Sequence, residues 1–397
     1  MKILTRTYPP TINPNYGGIL QAWALQQVLA ELGHTGYVDS TKSSAVSPAL
    51  ASVRIVLAHA RDVLARLGLL PRRFQPNAVR WAANRDLFAF TESRFKLVRL
   101  YRGRGKVDRR LAASFDAFVV GSDQVWRPDF VDVASFLLDF VPTDDTRPRI
   151  AYAASFGSSS PTELFDEESR ASLGPLARRF DALSTREESG VELCMTLWGA
   201  TAQRLIDPTM LLSPAHYAEL ASGKEAQVEA GGVVTYVLDR SSEVQAVVAE
   251  IEQARDCVAT ELYRPLPRTY AEFAHDPGRF TRVTIEGWLN ALARSGSVVT
   301  DSYHGTVFAI LFNKPFLVVL NHRRGLARFE TLLSLFGLED RIAMFDGADA
   351  LRASAPIDWQ RVNEQISQER QHGWDFLKQS LTGHARHGST DPVKQSS

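Results

Sequence analysis

Two kinds of apolar run alternate along this chain. Short β-branched runs ending in glycine or polar turns read as buried strands, and longer stretches with apolar residues every three or four positions read as helices. The clearest case spans residues 297–320. Val298, Val299 and Thr300 read as a strand, Asp301-Ser302-Tyr303-His304-Gly305 as a polar turn, and Val307, Ile310 and Leu311 as the packed face of a helix. Asn313-Lys314-Pro315 ends that helix, and residues 315–320 read as the next buried strand. This βαβ unit places a histidine where strand becomes helix, at the sheet edge where free backbone N–H groups attract anions.

The same alternation recurs upstream. Ile3-Leu4 begins a first strand, and Pro9-Pro10 with Asn13-Pro14 makes the next loop rigid and extended. After Tyr16-Gly17-Gly18, Leu20, Ala24, Val28 and Leu32 recur every four residues and Gly33 follows, which predicts an amphipathic helix with a glycine stop. The glycine pair permits close backbone approach, for an anion or for tight packing. Further strands are predicted at 115–120, running into Gly121-Ser122-Asp123-Gln124-Val125-Trp126, at 150–156, and at 181–185, running into Arg186-Glu187-Glu188. Asp207-Pro208-Thr209 then punctuates the chain, and the polar stretch 221–232 marks a boundary before a strand at 233–238 and a helix at 244–251. Two consecutive α/β halves predict two Rossmann-like domains facing a central cleft, over 1–215 and 216–380, with 381–397 a polar tail expected to be disordered.

Composition narrows the class. The 397 residues carry 45 Lys and Arg against 45 Asp and Glu, so global charge gives no argument for a nucleic-acid partner. The two cysteines, Cys194 and Cys257, form no closely spaced pair, which drops the disulfide-scaffold and zinc-ribbon readings and suits a reducing compartment. The N-terminus has no signal-peptide core and the longest apolar run is interrupted by Asn-Lys-Pro, so a cytoplasmic location is expected. Residues 54–110 depart from neutrality, with fifteen Lys or Arg against Asp62, Asp86, Glu92 and Asp108. Such a run is usually a solvated face; the sharper reading is peripheral contact with anionic lipid headgroups at the inner face of the membrane, or with a lipid-linked diphosphate acceptor.

Six blocks in order, NYGGILQAWALQQVLAELGH, FVVGSDQVWRPDF, AYAASFG, LSTREESG, IDPTMLL and TDSYHGTVFAILFNKPF, resemble the polysaccharide pyruvyl transferase family along roughly residues 13–341. The resemblance implies a GT-B-like fold with the acceptor on the N-terminal side and the donor on the C-terminal side. It implies transfer of an enolpyruvyl-derived group from phosphoenolpyruvate to two hydroxyls of a sugar, in a polysaccharide or its lipid-linked precursor, as a pyruvate ketal. The family's donor-site histidine carries over onto His304, its aspartate after a strand-end glycine onto Asp123, and its first donor-binding arginine onto Arg186. Ser302, Tyr303, Gly305 and Thr306 join the donor site, and Tyr16, Gly17, Gly18, Gln124 and Trp126 the acceptor side or its loops. Some members place an arginine two residues before the histidine; this chain has Ser302 there, so Arg323, Arg324 and Arg328 are the candidate replacements.

The chemistry suits these residue types. Phosphoenolpyruvate brings a carboxylate and a phosphate, which bidentate arginine and helix N–H groups match. Ketal formation needs one general acid, for which the imidazole of His304 is the suitable residue type, and one general base, for which Asp123 is available. No metal or cofactor is required by this scheme. Each residue also has a plainer role: His304 as a backbone cap, Asp123 as a turn former, Arg186 as a surface ion pair. Trp126 and Tyr16 have the shape to stack on a sugar, with core packing the commoner fate of such rings. Two other functions keep the same fold: a GT-B glycosyltransferase with a nucleotide-sugar donor, for which Glu286 is an available ribose partner, and a non-catalytic glycan-binding scaffold.

Overall fold

The computed structural model describes residues 1–12, 14–43, 60, 63–64, 67, 69, 77–102, 106–160, 164–222, 230–320 and 326–382. The strands are β1 (Lys2–Arg6), β2 (Thr35–Asp39), β3 (Leu97–Val98), β4 (Tyr101–Arg102), β5 (Lys106–Val107), β6 (Ala117–Val120), β7 (Arg149–Ala154), β8 (Ala182–Thr185), β9 (Gln203–Arg204), β10 (Val233–Tyr236), β11 (Thr260–Glu261), β12 (Ser297–Thr300) and β13 (Phe316–Val318). They form a seven-stranded parallel sheet in the order β3-β2-β1-β6-β7-β8-β9 and a four-stranded parallel sheet in the order β11-β10-β12-β13. A small antiparallel hairpin pairs β4 with β5. Central strands β6, β7, β10 and β12 are buried along their whole length, as parallel strands covered on both faces must be.

The chain leaves the first sheet after Leu220 and returns to it at the end. The final helix, Trp359–Thr382, lies against the first domain. Trp374 Nε1 donates to the Leu211 carbonyl at 3.1 Å, Arg370 Nε to the Met210 carbonyl at 3.0 Å, and Arg204 holds Glu369 through two bonds of 2.6 and 2.8 Å. Gly373 is required at the closest approach, because a Cβ there would stand 2.4 Å from the Tyr152 hydroxyl.

The largest apolar cluster does not stop at the domain boundary. Tyr16 stacks on Trp288 with ring centres 5.1 Å apart and planes 8° from parallel, and Tyr217 meets Phe308 edge-on at 4.9 Å. The helix Tyr16–Glu31 of the first domain thus packs on Ile285–Arg294 and Tyr303–Leu311 of the second.

Candidate functional site

The helices Tyr16–Glu31 and Tyr303–Leu311 bring their first turns together at the cleft, and neither has an acidic side chain in that turn. Asn15 caps one by accepting from Gly18 N at 2.7 Å, and Ser302 caps the other. Free first-turn N–H groups carry partial positive charge, so this edge is prepared for an anion. The close approach depends on Gly17: a Cβ there would lie 2.0 Å from His304 Nδ1. A cleft of about 560 Å³ opens beside this contact, lined among others by Asp123, Gln124, Ser302, Tyr303, His304 and Arg328.

Beneath His304 lies a carboxylate whose partners come from four parts of the chain. Asp207 is wholly buried. Its Oδ1 accepts from Thr209 N at 3.0 Å and Thr209 Oγ1 at 2.8 Å, and its Oδ2 accepts from Ser122 Oγ at 2.9 Å and Arg186 at 3.3 Å. His304 Nε2 stands 3.4 Å from the same Oδ2. Burial alone would raise the Asp207 pKa, but His304 and Arg186 outweigh it and hold the carboxyl well below the ordinary range. Asp207 therefore stays an anion, and its position fixes which imidazole nitrogen faces inward.

Arg186 is the second hub. Its side chain is fully buried, 3.5 Å from Asp123 and 3.9 Å from Glu187 as well as bonded to Asp207, with its guanidinium 4.4 Å from the centre of the Tyr303 ring. Burial opposes the charge, yet Asp123, Tyr303 and Asp207 raise its pKa overall. The alternative of a surface ion pair is corrected here: Arg186 is buried, covered by Tyr303 and engaged by carboxylates, and it stands behind the cleft wall rather than lining it. Glu187 is equally internal, accepting from Ser155 Oγ at 2.9 Å and Phe156 N at 2.7 Å to tie down the end of β7.

Asp123 follows β6 with φ of +80°, a conformation costly for a residue with a Cβ. Its carbonyl accepts from Ser155 N at 3.0 Å and Val125 N at 2.7 Å, which holds the strained turn in place and presents the carboxylate to the cleft. Gln124 lines the same wall, and its buried Oε1 has no hydrogen-bond partner among the described residues. Arg328, in the first turn of the helix Ala327–Phe336, also faces the cleft. Desolvation and the nearby Arg186 charge pull its pKa down to about 10, and among the described residues it has ring contacts with Tyr303 and Phe329 but no carboxylate pair. It remains a cation at neutral pH, as an arginine must. Arg323 and Arg324 lie outside the described residues.

Other expected residues are placed elsewhere. Tyr16 is sealed between the domains, its hydroxyl donating to the Val283 carbonyl at 2.8 Å, and Trp126 sits in an aromatic core with Phe156 and Trp198. Both are fully buried, so neither is available to stack on a sugar. Gly18, Gly305 and Thr306 build the helix starts without lining the cleft; Thr306 Oγ1 donates to the Ser302 carbonyl at 3.1 Å, and a Cβ on Gly305 would meet Thr300 Oγ1 at 2.3 Å. Asp207 is the residue that sequence reasoning missed. Its signal was an aspartate before Pro-Thr, which reads as a cap, and it does accept from Thr209 N.

Two parallel-sheet domains enclosing a ligand edge between helix N-termini define a GT-B-type protein. The family model of the polysaccharide pyruvyl transferases matches residues 15–323, and the chain belongs to that family. Among solved structures it is similar to a candidate UDP-N-acetylglucosamine 2-epimerase from Listeria monocytogenes, with TM-score 0.50 and 12% identity over 100% of this chain and 99% of that one. It is also similar to S. aureus MnaA in complex with UDP, with TM-score 0.50 and 11% identity over 100% of both chains. At such identities the likeness is one of fold. No curated protein matches the chain.

Proposed function

We propose that this transferase moves a pyruvyl group from phosphoenolpyruvate onto two hydroxyls of a sugar, forming a pyruvate ketal and releasing phosphate. The observation that carries the reading is the contact of His304 with the buried, ionised Asp207 at the meeting of two helix N-termini. With Nε2 facing Asp207, Nδ1 beside Gly17 is the nitrogen left to donate a proton to the methylene carbon of the donor. Protonation makes the adjacent carbon electrophilic, and Asp123 on the opposite wall accepts the proton of the attacking sugar hydroxyl. Loss of phosphate and attack by the second hydroxyl then close the ketal. Arg328 and the first-turn N–H groups bind the phosphate and carboxylate of the donor. The acceptor is a glycan or its lipid-linked precursor, and the basic run 54–110 makes peripheral contact with an anionic membrane surface.

Thermal stability with phosphoenolpyruvate, against a nucleotide-sugar panel, tests the donor. At about a hundredfold excess over its dissociation constant a ligand of the folded state adds roughly 2.7 kcal/mol. The expected outcome is a raised midpoint with phosphoenolpyruvate, weakened in His304→Ala. A shift with a nucleotide sugar alone would make the protein a glycosyltransferase instead.

A further inference from the structure

One wall of the cleft carries an aromatic ring that the donor chemistry does not use. Phe130 lines the cleft and remains 50% exposed, while Trp126, four residues earlier, is locked in the core. Holding a phenyl ring half in water forgoes the gain from burying it, and a rigid anchor then keeps it there. The loop is tightened by Phe130 N and Val131 N, which donate to the Arg127 carbonyl at 3.1 and 3.2 Å. The Arg127 guanidinium covers the Phe130 ring at 4.5 Å from its centre and pairs with Asp129 at 3.6 Å. One face of the ring is thus backed by a cation, and Asp129, also lining the cleft, stands next to it with a 72% exposed side chain. On the opposite wall Tyr263 of the second domain lines the cleft in the same manner, with Arg282 5.0 Å from its ring centre.

We infer that Phe130 is the platform for the acceptor sugar: the C–H face of a pyranose packs on the exposed ring, Asp129 accepts a hydrogen bond from one of its hydroxyls, and Tyr263 closes over it from the other domain. Aromatic rings with a polar neighbour suit a ligand that is apolar on one face and hydroxylated at its edge. This platform takes the place of Tyr16 and Trp126, which are buried. The inference rests on the reading of the cleft as the transferase site, and adds the acceptor half to it.

Saturation-transfer NMR on the full chain with the methyl pyranosides of glucose, galactose and mannose, in wild type, Phe130→Ala and Phe130→Trp, tests it. At least one pyranoside should receive transfer in wild type, keep it in Phe130→Trp, and bind about tenfold more weakly in Phe130→Ala, the effect of losing one aromatic contact. The phosphoenolpyruvate thermal shift should be equal in all three proteins. Pyranoside binding that survives Phe130→Ala, or no pyranoside binding in wild type, would overturn the platform. Phe130-dependent pyranoside binding with no phosphoenolpyruvate shift would keep the platform and sink the donor reading.

Discussion

Asp207 supports four groups at once, so its replacement separates charge from shape. Asp207→Asn keeps the bonds to Thr209 within reach but leaves His304 without its anion and Arg186 with only the more distant Asp123 and Glu187. Removing one partner of a buried charged pair costs about 3–5 kcal/mol, which predicts a lower melting midpoint together with loss of turnover. The acid dependence follows from the same residue. Its folded pKa is depressed, so its stabilisation is complete above the unfolded value of about 3.9 and is lost as pH falls through the folded one. Wild type should therefore lose midpoint faster than Asp207→Asn as pH drops below about 4, and parallel melting curves down the pH series would contradict this. Gly17→Ala should lower the melting midpoint and abolish turnover together, since its Cβ would lie 2.0 Å from His304 Nδ1 and 2.8 Å from His304 Cβ, so the two helix starts must move apart as well as the imidazole. His304 was legible because a strand, a polar turn and a helix follow one another directly between Ser297 and Leu311. Asp207 was not, because its partners Ser122, Arg186 and His304 are distant in the chain and meet only after both sheets have formed.

Strands and helices with a clear period were read well. The predicted strand at 233–238 is Val233–Tyr236, and the helix predicted from Leu20, Ala24 and Val28 is Tyr16–Glu31, with Gly33 at φ of +80° beyond its end. That helix is not amphipathic as expected, because residues 16–25 are buried on every face between the two domains. The edge strands β3, β9 and β11 are two residues long, too short to show any alternation, and they take their shape from the neighbours they pair with. The long final helix was passed over although Val362, Ile366, Phe376, Leu377 and Leu381 recur at helical spacing; what its sequence does not show is the packing on Tyr152, Met210 and Leu211. Its fit is sensitive: Gly373→Ala should cost about 1–3 kcal/mol by overpacking against Tyr152 and Leu211, readable as a lower urea midpoint with unchanged slope.

Across the whole molecule, the two-domain architecture followed from the alternation of strands and helices, while the contact between the domains did not. The basic stretch 54–110 lies partly outside the described residues, but Arg85 and Trp81 on its described part are exposed, the latter by 62%. Flotation with anionic vesicles should show binding at low salt that disappears near 1 M, where the Debye length falls to about 3 Å; binding to neutral vesicles would remove the electrostatic explanation. The stacked pair Tyr16 and Trp288 bears on a different property. Because it sits in one apolar cluster fed by both domains, pulling the domains apart would wet a core rather than slide two polar faces. The protein is then closer to a vice already tightened than to a pair of jaws. Substrates must enter and leave through the mouth of the cleft, and heating should melt both halves in one calorimetric step.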